Sequence, residues 1–267
     1  MIIKNMQHAD PVTEHDHSKP HRDDHYLLMV ATAGNFVINI DFEDHAITSP
    51  AMVMIFPGQI HHVVSSGDMA GWGMSVDPAL MDKEFQLIME KAFRRPLALD
   101  QHSAFYGHIA ILMGQMEKLQ TEAENLYHVR ANHSILDAFL GLLAAEISKV
   151  NAIGKTKVNR GAIIEQAFRQ LLKMHYKEQK QPAWYAAELN ISVAHLSDTL
   201  KKLTGDAVSA YIQQYCMLEA RRLLCFTKFT AKEIAYQLGY EEPVYFGKLF
   251  KKVTGFTALQ FRQQYRD

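Results

Sequence analysis

Cysteine is nearly absent from these 267 residues, and the two present, Cys216 and Cys225, fall within one predicted helix. At ~1.5 Å per residue they stand about 13 Å apart along its axis, beyond the reach of a disulfide. Both are therefore expected as reduced core thiols, in keeping with a cytoplasmic protein. Long apolar runs are missing too: nothing approaches the roughly 20 residues that span a bilayer, which argues against a membrane protein. The opening ten residues turn polar too soon for the apolar core of a signal peptide, so export is not expected. Net charge is scant at -1, yet a hydrophobic fraction of 48% with 21% charged residues excludes a disordered chain.

The small total hides a charge separation. Residues 155–267 carry 18 Lys+Arg against 10 Asp+Glu, a net of +8, which leaves 10 against 19, a net of -9, for residues 1–154. The basic half has the field of a polyanion binder, and phosphate would repel the acidic half. Histidine is skewed the other way, with 12 of 14 in the first 154 residues.

Residues 1–20 have no periodic pattern and read as a flexible arm. From His25 the chain turns to short β-rich runs at 25–32, 35–40, 51–56, 60–65 and 71–76. Gly34, Phe42-Glu43-Asp44, Pro57-Gly58 and Ser66-Gly67-Asp68 separate them, and such spacing predicts a sandwich or small barrel. A metal enzyme on this frame needs several convergent N/O ligands. The nearest cluster, His15-Asp16-His17, lacks a suitably spaced Glu, and His61 alone holds no ion, so no metal, cofactor or catalytic residue is expected. His21, Tyr26, His61 and Trp72 are the candidates for a small-molecule pocket. Each has a plainer alternative: His61 as a turn histidine bonded to backbone, Tyr26 and Trp72 as core.

Helical periodicity follows over 79–93, started by Asp77-Pro78, and over 104–123 and 126–150. The apolar stripes there include Ile109, Leu112, Met113, Met116 and Leu119, then Ile135, Leu136, Phe139, Leu142 and Leu143. They either pack on each other and on the barrel or form a dimer surface. Residues 151–159, where the periodicity stops and the charge changes sign, read as a linker.

The last hundred or so residues contain one device twice, behind a helix at about 160–177 that carries Ile163, Ile164, Phe168 and Leu172 on one face. An alanine-bearing helix with Ala186, Ala187 and Leu189 turns at Ser192 into a second helix, anchored by Leu196, Leu200 and Leu203 and ending in Lys201-Lys202-Leu203-Thr204-Gly205. The pattern returns with Ile234-Ala235, Gly239-Tyr240 and a helix from Glu242-Pro243 to Lys251-Lys252-Val253-Thr254-Gly255. Ser192 is the expected cap of the first recognition helix, Thr230-Ala231-Lys232-Glu233 a capping box, and Gly205 and Gly255 are the expected C-caps. Two helix-turn-helix units joined by a helix over 207–226 can address successive major-groove faces of one duplex.

His21 before a strand, Gly34 at a hairpin and Phe56-Pro57-Gly58-Gln59-Ile60-His61 resemble the cupin barrel that senses ligand in regulators of the arabinose-operon activator (AraC) type. Residues 160–265 are similar to the DNA-binding domain of the same family. The carrying residues are Ala186 with Leu189, His195-Leu196-Ser197, Ala220-Arg221-Arg222-Leu223-Leu224, Tyr245-Phe246, Phe250, Phe261-Arg262 and the two Lys-Lys-x-Thr-Gly endings. The resemblance implies a multidomain protein: a cupin-like β-barrel sensor at 21–77, a helical extension at 78–150 that dimerises in the family, and an all-α double helix-turn-helix domain at 160–267.

It further implies base-facing Ala194, Ser197 and Asp198 on the first recognition helix and Val244, Tyr245 and Lys248 on the second. Lys201, Lys202, Lys251, Lys252 and Arg262 are left for phosphate. Asp198 either accepts from a cytosine amino group or offsets a neighbouring lysine. The expected partners are double-stranded promoter DNA, a small-molecule effector, a second copy of the chain and RNA polymerase, in a bacterial transcription regulator that is not an enzyme. The rival readings are a metal-dependent cupin enzyme carrying a DNA-binding domain, and a regulator whose barrel serves only for dimerisation.

Overall fold

A computed structural model describes residues 1–6, 17–122, 125–152 and 160–266. The chain divides into two units, Met1–Lys155 and Thr156–Asp267. The first contains strands β1 (Ile2–Met6), β2 (His21–Arg22), β3 (Tyr26–Ala33), β4 (Asn35–Ile40), β5 (Glu43–Thr48), β6 (Ala51–Ile55), β7 (Ile60–Ser66), β8 (Ala70–Val76) and β9 (Leu97–Ala98). Its helices are α1 (Lys83–Ala92), α2 (Ala104–Thr121) and α3 (Leu126–Ala152). All strand pairs are antiparallel, in one sheet ordered β1-β8-β3-β6-β9 and a second ordered β2-β7-β4-β5.

The apolar runs of β3 and β6 follow from burial on both faces. Met29, Ala31, Val53 and Ile55 meet Phe36, Ile38 and Ile47 of the other sheet in a core between the two. Leu28, Val30, Met52 and Met54 point the opposite way, into a larger core with Ile109, Met113 and Met116 of α2 and Leu136, Phe139, Leu140 and Leu143 of α3. Each such side chain contributes roughly 1.5–3 kcal/mol by leaving water. The stripes on α2 and α3 therefore pack on each other and on the sheet.

Several expectations need correction. Residues 2–6 are not an arm: β1 pairs with β8 from Ile2 opposite Ser75 to Met6 opposite Gly71. The side chain of Gln120 grips it, accepting from the Ile3 N–H at 2.6 Å and donating to the Ile3 carbonyl at 3.0 Å. Residues 7–16 of the expected arm, with His15 and Asp16, lie outside the described residues, as do 153–159 of the expected linker. Its first two residues belong to α3.

Glu43 and Asp44, read as a turn, begin β5. The turn itself is Asp41-Phe42, with φ of 51° and 72°, and Asn39 secures it by accepting from the Phe42 N–H and donating to Asp44. The helix expected at 79–93 is interrupted because Asp82 accepts from the Phe85 N–H at 2.8 Å and starts α1 afresh.

The second unit is helical: α4 (Arg160–His175), α5 (Pro182–Glu188), α6 (Val193–Thr204), α7 (Val208–Phe226), α8 (Ala231–Gln237), α9 (Pro243–Thr254) and α10 (Ala258–Arg266). Its spine is α7, which buries Val208, Ile212, Cys216, Ala220 and Leu224 at four-residue spacing. The turn of the second helix-turn-helix presses on the segment after α4. Gly239 has φ +75°, and a Cβ there would stand 1.7 Å from the Lys177 carbonyl oxygen. Lys180 locks this contact by donating to the carbonyls of Lys177 (2.8 Å), Leu238 (2.7 Å) and Tyr176, with its ammonium 5.1 Å from the Tyr240 ring centroid.

Three apolar residues assigned to packing are instead exposed: Ile163, Ala187 and Leu203. Glu165, on the buried face of α4, pairs there with Arg169. Among the described residues no helix is long and apolar enough to cross a membrane.

Candidate nucleic-acid interface

The two recognition helices, α6 and α9, are built alike. The Ser192 hydroxyl accepts from the His195 N–H at 3.1 Å and starts α6, whereas Pro243 in the first turn starts α9. Before α9, Thr230 and Glu233 form the reciprocal capping box of α8, and those hydrogen bonds hold the Glu233 carboxyl below its usual range. Leu196 and Leu200 of α6, like Phe246 and Phe250 of α9, are buried and fix each helix from beneath. Both helices end on left-handed glycines, Gly205 at φ 84° and Gly255 at φ 82°.

The outward faces carry the side chains expected to read bases. Ala194, Asp198, Val244, Tyr245 and Lys248 are exposed, and Ser197 is half-buried. Val244 is 69% and Tyr245 54% exposed, an arrangement that internal packing does not explain. Spacing of four puts Ala194 with Asp198, and Val244 with Lys248, on one side of their helices. Lys201, Lys202, Lys251 and Lys252 are exposed in the last turns, where they also complement the helix dipole.

Arg262 differs from the four lysines. Its Nε donates to the Leu224 carbonyl at 3.0 Å and its Nη2 to the carbonyls of Thr227 (3.5 Å) and Phe229. The guanidinium thus ties the C-terminal end of α7 to the turn into α8, an internal role beside the phosphate contact expected of it.

The four expected pocket residues do not converge. Tyr26 is core, edge-to-face with Phe56, and burial together with the Glu90 charge pushes its hydroxyl up to about 12. Trp72 packs against the same helix-side core and donates to Glu117 of α2 at 3.1 Å. His21 and His61 belong to the other sheet, as register partners on β2 and β7 with ring centroids 4.2 Å apart. His61 is 2% exposed, and burial followed by the charge of His21 lowers its imidazole to about 4. Asp23 joins them, so that one ligand atom from each of His21, Asp23 and His61 lies within 4.8 Å of the others.

Two family models match the chain: the AraC-like ligand binding domain over residues 8–143 and a helix-turn-helix domain over residues 185–264. The first alone covers more than half of the chain. This protein is a member of the AraC-type transcriptional regulators.

Among curated relatives, this AraC-type chain is 21% identical to the arabinose operon regulatory protein of Salmonella typhimurium over 257 residues, 89% of this chain and 83% of the relative. It is 32% identical to the uncharacterized HTH-type transcriptional regulator YisR of Bacillus subtilis over 92 residues, 34% of this chain and 32% of that one. The chain spans about a third or less of the length of several curated relatives that it matches. Among solved structures, that of ToxT from Vibrio cholerae O395 is 13% identical with a TM-score of 0.47, covering 98% of this chain and 96% of that one.

Within this AraC-type domain the structure also places a residue that sequence reasoning passed over. Val244, Tyr245 and Lys248 stand 50 positions after Ala194, His195 and Asp198. His195 is exposed at the place of Tyr245, whereas Ser197 corresponds to Gly247. Aligning the two copies position by position would have revealed it.

Proposed function

We propose that this AraC-type regulator binds promoter DNA through both recognition helices and is not an enzyme. The observation that carries this reading is the repetition of one exposed face, at Ala194, His195 and Asp198 and again at Val244, Tyr245 and Lys248, within residues 155–267, whose net charge is +8. The lysine pairs at the ends of α6 and α9 supply sequence-independent phosphate contacts, and the outward faces read base edges. The first unit is the sensor half of the regulator. A small effector there alters how two copies present their DNA heads, which requires different effector affinities in the two arrangements. Exposed Ile111 on α2 and Leu126 and Tyr127 on α3 support self-association of this unit; RNA polymerase is the further partner of the DNA-bound dimer.

Selection of random duplexes by the full-length protein at moderate salt tests the reading. Enrichment of a bipartite site, its halves about 10 base pairs apart, is the expected result. Failure to enrich any sequence overturns it.

A further inference from the structure

The sensor unit contains a cluster of side chains that DNA binding does not use. His21 and His61 face each other across the β2–β7 pair, and both are held in the same way. Nδ1 of His21 lies 2.9 Å from the Lys19 carbonyl, and Nδ1 of His61 lies 3.3 Å from the Gln59 carbonyl, in each case two residues back along the chain. A carbonyl can only accept, so a ring held in this way donates from Nδ1 and leaves Nε2 to face a ligand. Histidines that ligate metals are oriented by this kind of bond from the opposite ring nitrogen.

Nε2 of His61 is buried and has no hydrogen-bond partner among the described residues. Across from it, 3.6 Å away, stands Oδ2 of Asp23. Two acceptors facing each other repel, and a buried polar nitrogen without a partner is destabilising. A cation between them removes both penalties. Ligands about 2.1 Å from a tetrahedral ion stand roughly 3.4 Å from one another, so the His61–Asp23 spacing already suits one. One ligand atom from each of the three residues lies within 4.8 Å of the others.

We propose that His21, Asp23 and His61 bind one divalent first-row transition-metal ion of the Zn2+ class. Two imidazoles and a carboxylate suit such an ion better than Ca2+ or Mg2+, which favour oxygen ligands throughout. Three protein ligands leave a position for water on the solvent side, where His21 and Asp23 are half-buried. His25, whose Nε2 is 3.6 Å from the same Asp23 oxygen, and His17, whose ring centroid is 5.7 Å from that of His21, form the outer shell. The site is separate from the regulatory reading, because its occupancy is measured on the protein without DNA.

The test uses tag-free full-length protein, stripped with chelator, desalted and titrated with Zn2+ and with Co2+. One equivalent of ion is expected to remain after desalting, with visible absorption bands for the Co2+ form. His21→Gln and Asp23→Asn, which alter side chains that are not fully buried, should each weaken binding by at least about 10-fold, since even outer-shell changes have effects of that order. His102→Gln should change nothing. Nitrogen-15 NMR of the histidines in the unsubstituted protein provides a measurement independent of any variant: Zn2+ should shift Nε2 of His21 and His61 and leave both Nδ1 protonated. The proposal is overturned if no stoichiometric ion is retained, if the two folded variants bind as the parent does, or if those Nε2 resonances do not move.

Discussion

Replacing Arg262 by Met separates an internal role from a DNA-binding one, because it keeps the aliphatic stem and removes the guanidinium. The Nε bond to Leu224 and the Nη2 bonds to Phe229 and Thr227 hold backbone carbonyls that no helix satisfies. Two good bonds and one long one, at roughly 1 kcal/mol net apiece and reduced by partial exposure, make the expected loss about 2 kcal/mol. For a unit of this size that lowers the melting temperature by roughly 10 °C. In the full-length protein with Trp72→Phe, Trp184 becomes the one remaining tryptophan and reports unfolding of the second unit. A denaturant titration of that background with and without Arg262→Met gives the difference directly. Operator binding by the folded variant should keep its salt dependence, whereas Lys251→Ala should leave stability unchanged and flatten the slope of log K against log salt by about 0.9. If Arg262→Met unfolds within about 0.5 kcal/mol of the parent and loses that same increment of slope, the guanidinium contacts phosphate and the internal assignment is wrong.

Gly239→Ala should destabilise the second unit by at least about 3 kcal/mol, since a Cβ 1.7 Å from the Lys177 oxygen joins a left-handed φ; calorimetry showing a change under about 1 kcal/mol would contradict the close approach. Asp198→Ala should tighten binding to non-operator DNA and broaden the selected sequences, while Lys248→Ala should weaken operator binding by about 1–3 kcal/mol; equal effects of both on every duplex would remove the base-reading role. His195→Ala should relax selection at one or two base positions without moving the salt slope, which duplex selection reads out. Cys216 is buried and its thiol is pushed up, first by desolvation; it should react with a thiol reagent only after unfolding, and rapid modification of the native protein at neutral pH would refute its burial.

The second unit was legible in the sequence because its chemistry is local. Ser192, the Thr230–Glu233 box, Pro243 and the two terminal glycines act within a few residues of where they stand, and each is found in the role its position predicts. What escapes a local reading depends on distant chain. Arg262 reaches carbonyls 33 to 38 residues away, which no local pattern reveals. In the first unit, β5 escaped because only Ile47 of its six residues is buried, leaving no apolar alternation to read. β1 escaped because its partners, β8 and Gln120 of α2, lie some 70 and 117 residues further on.

The His21–Asp23–His61 cluster shows the same limit in the site. As a linear string His61 has no ligand neighbour at metal spacing; the antiparallel register of β2 with β7 brings His21 opposite it across 40 positions of chain. Asp23 then follows from its place just beyond β2, where its carboxylate approaches both His61 and His25. The same pairing explains why Tyr26 and Trp72 belong elsewhere: they lie on β3 and β8 of the other sheet and point to the helices. Sheet assignment thus divides the four expected pocket residues into two packed aromatic groups and one polar pair. The chemistry of a metal site stays with the pair, because there an unbonded imidazole nitrogen and a carboxylate face each other.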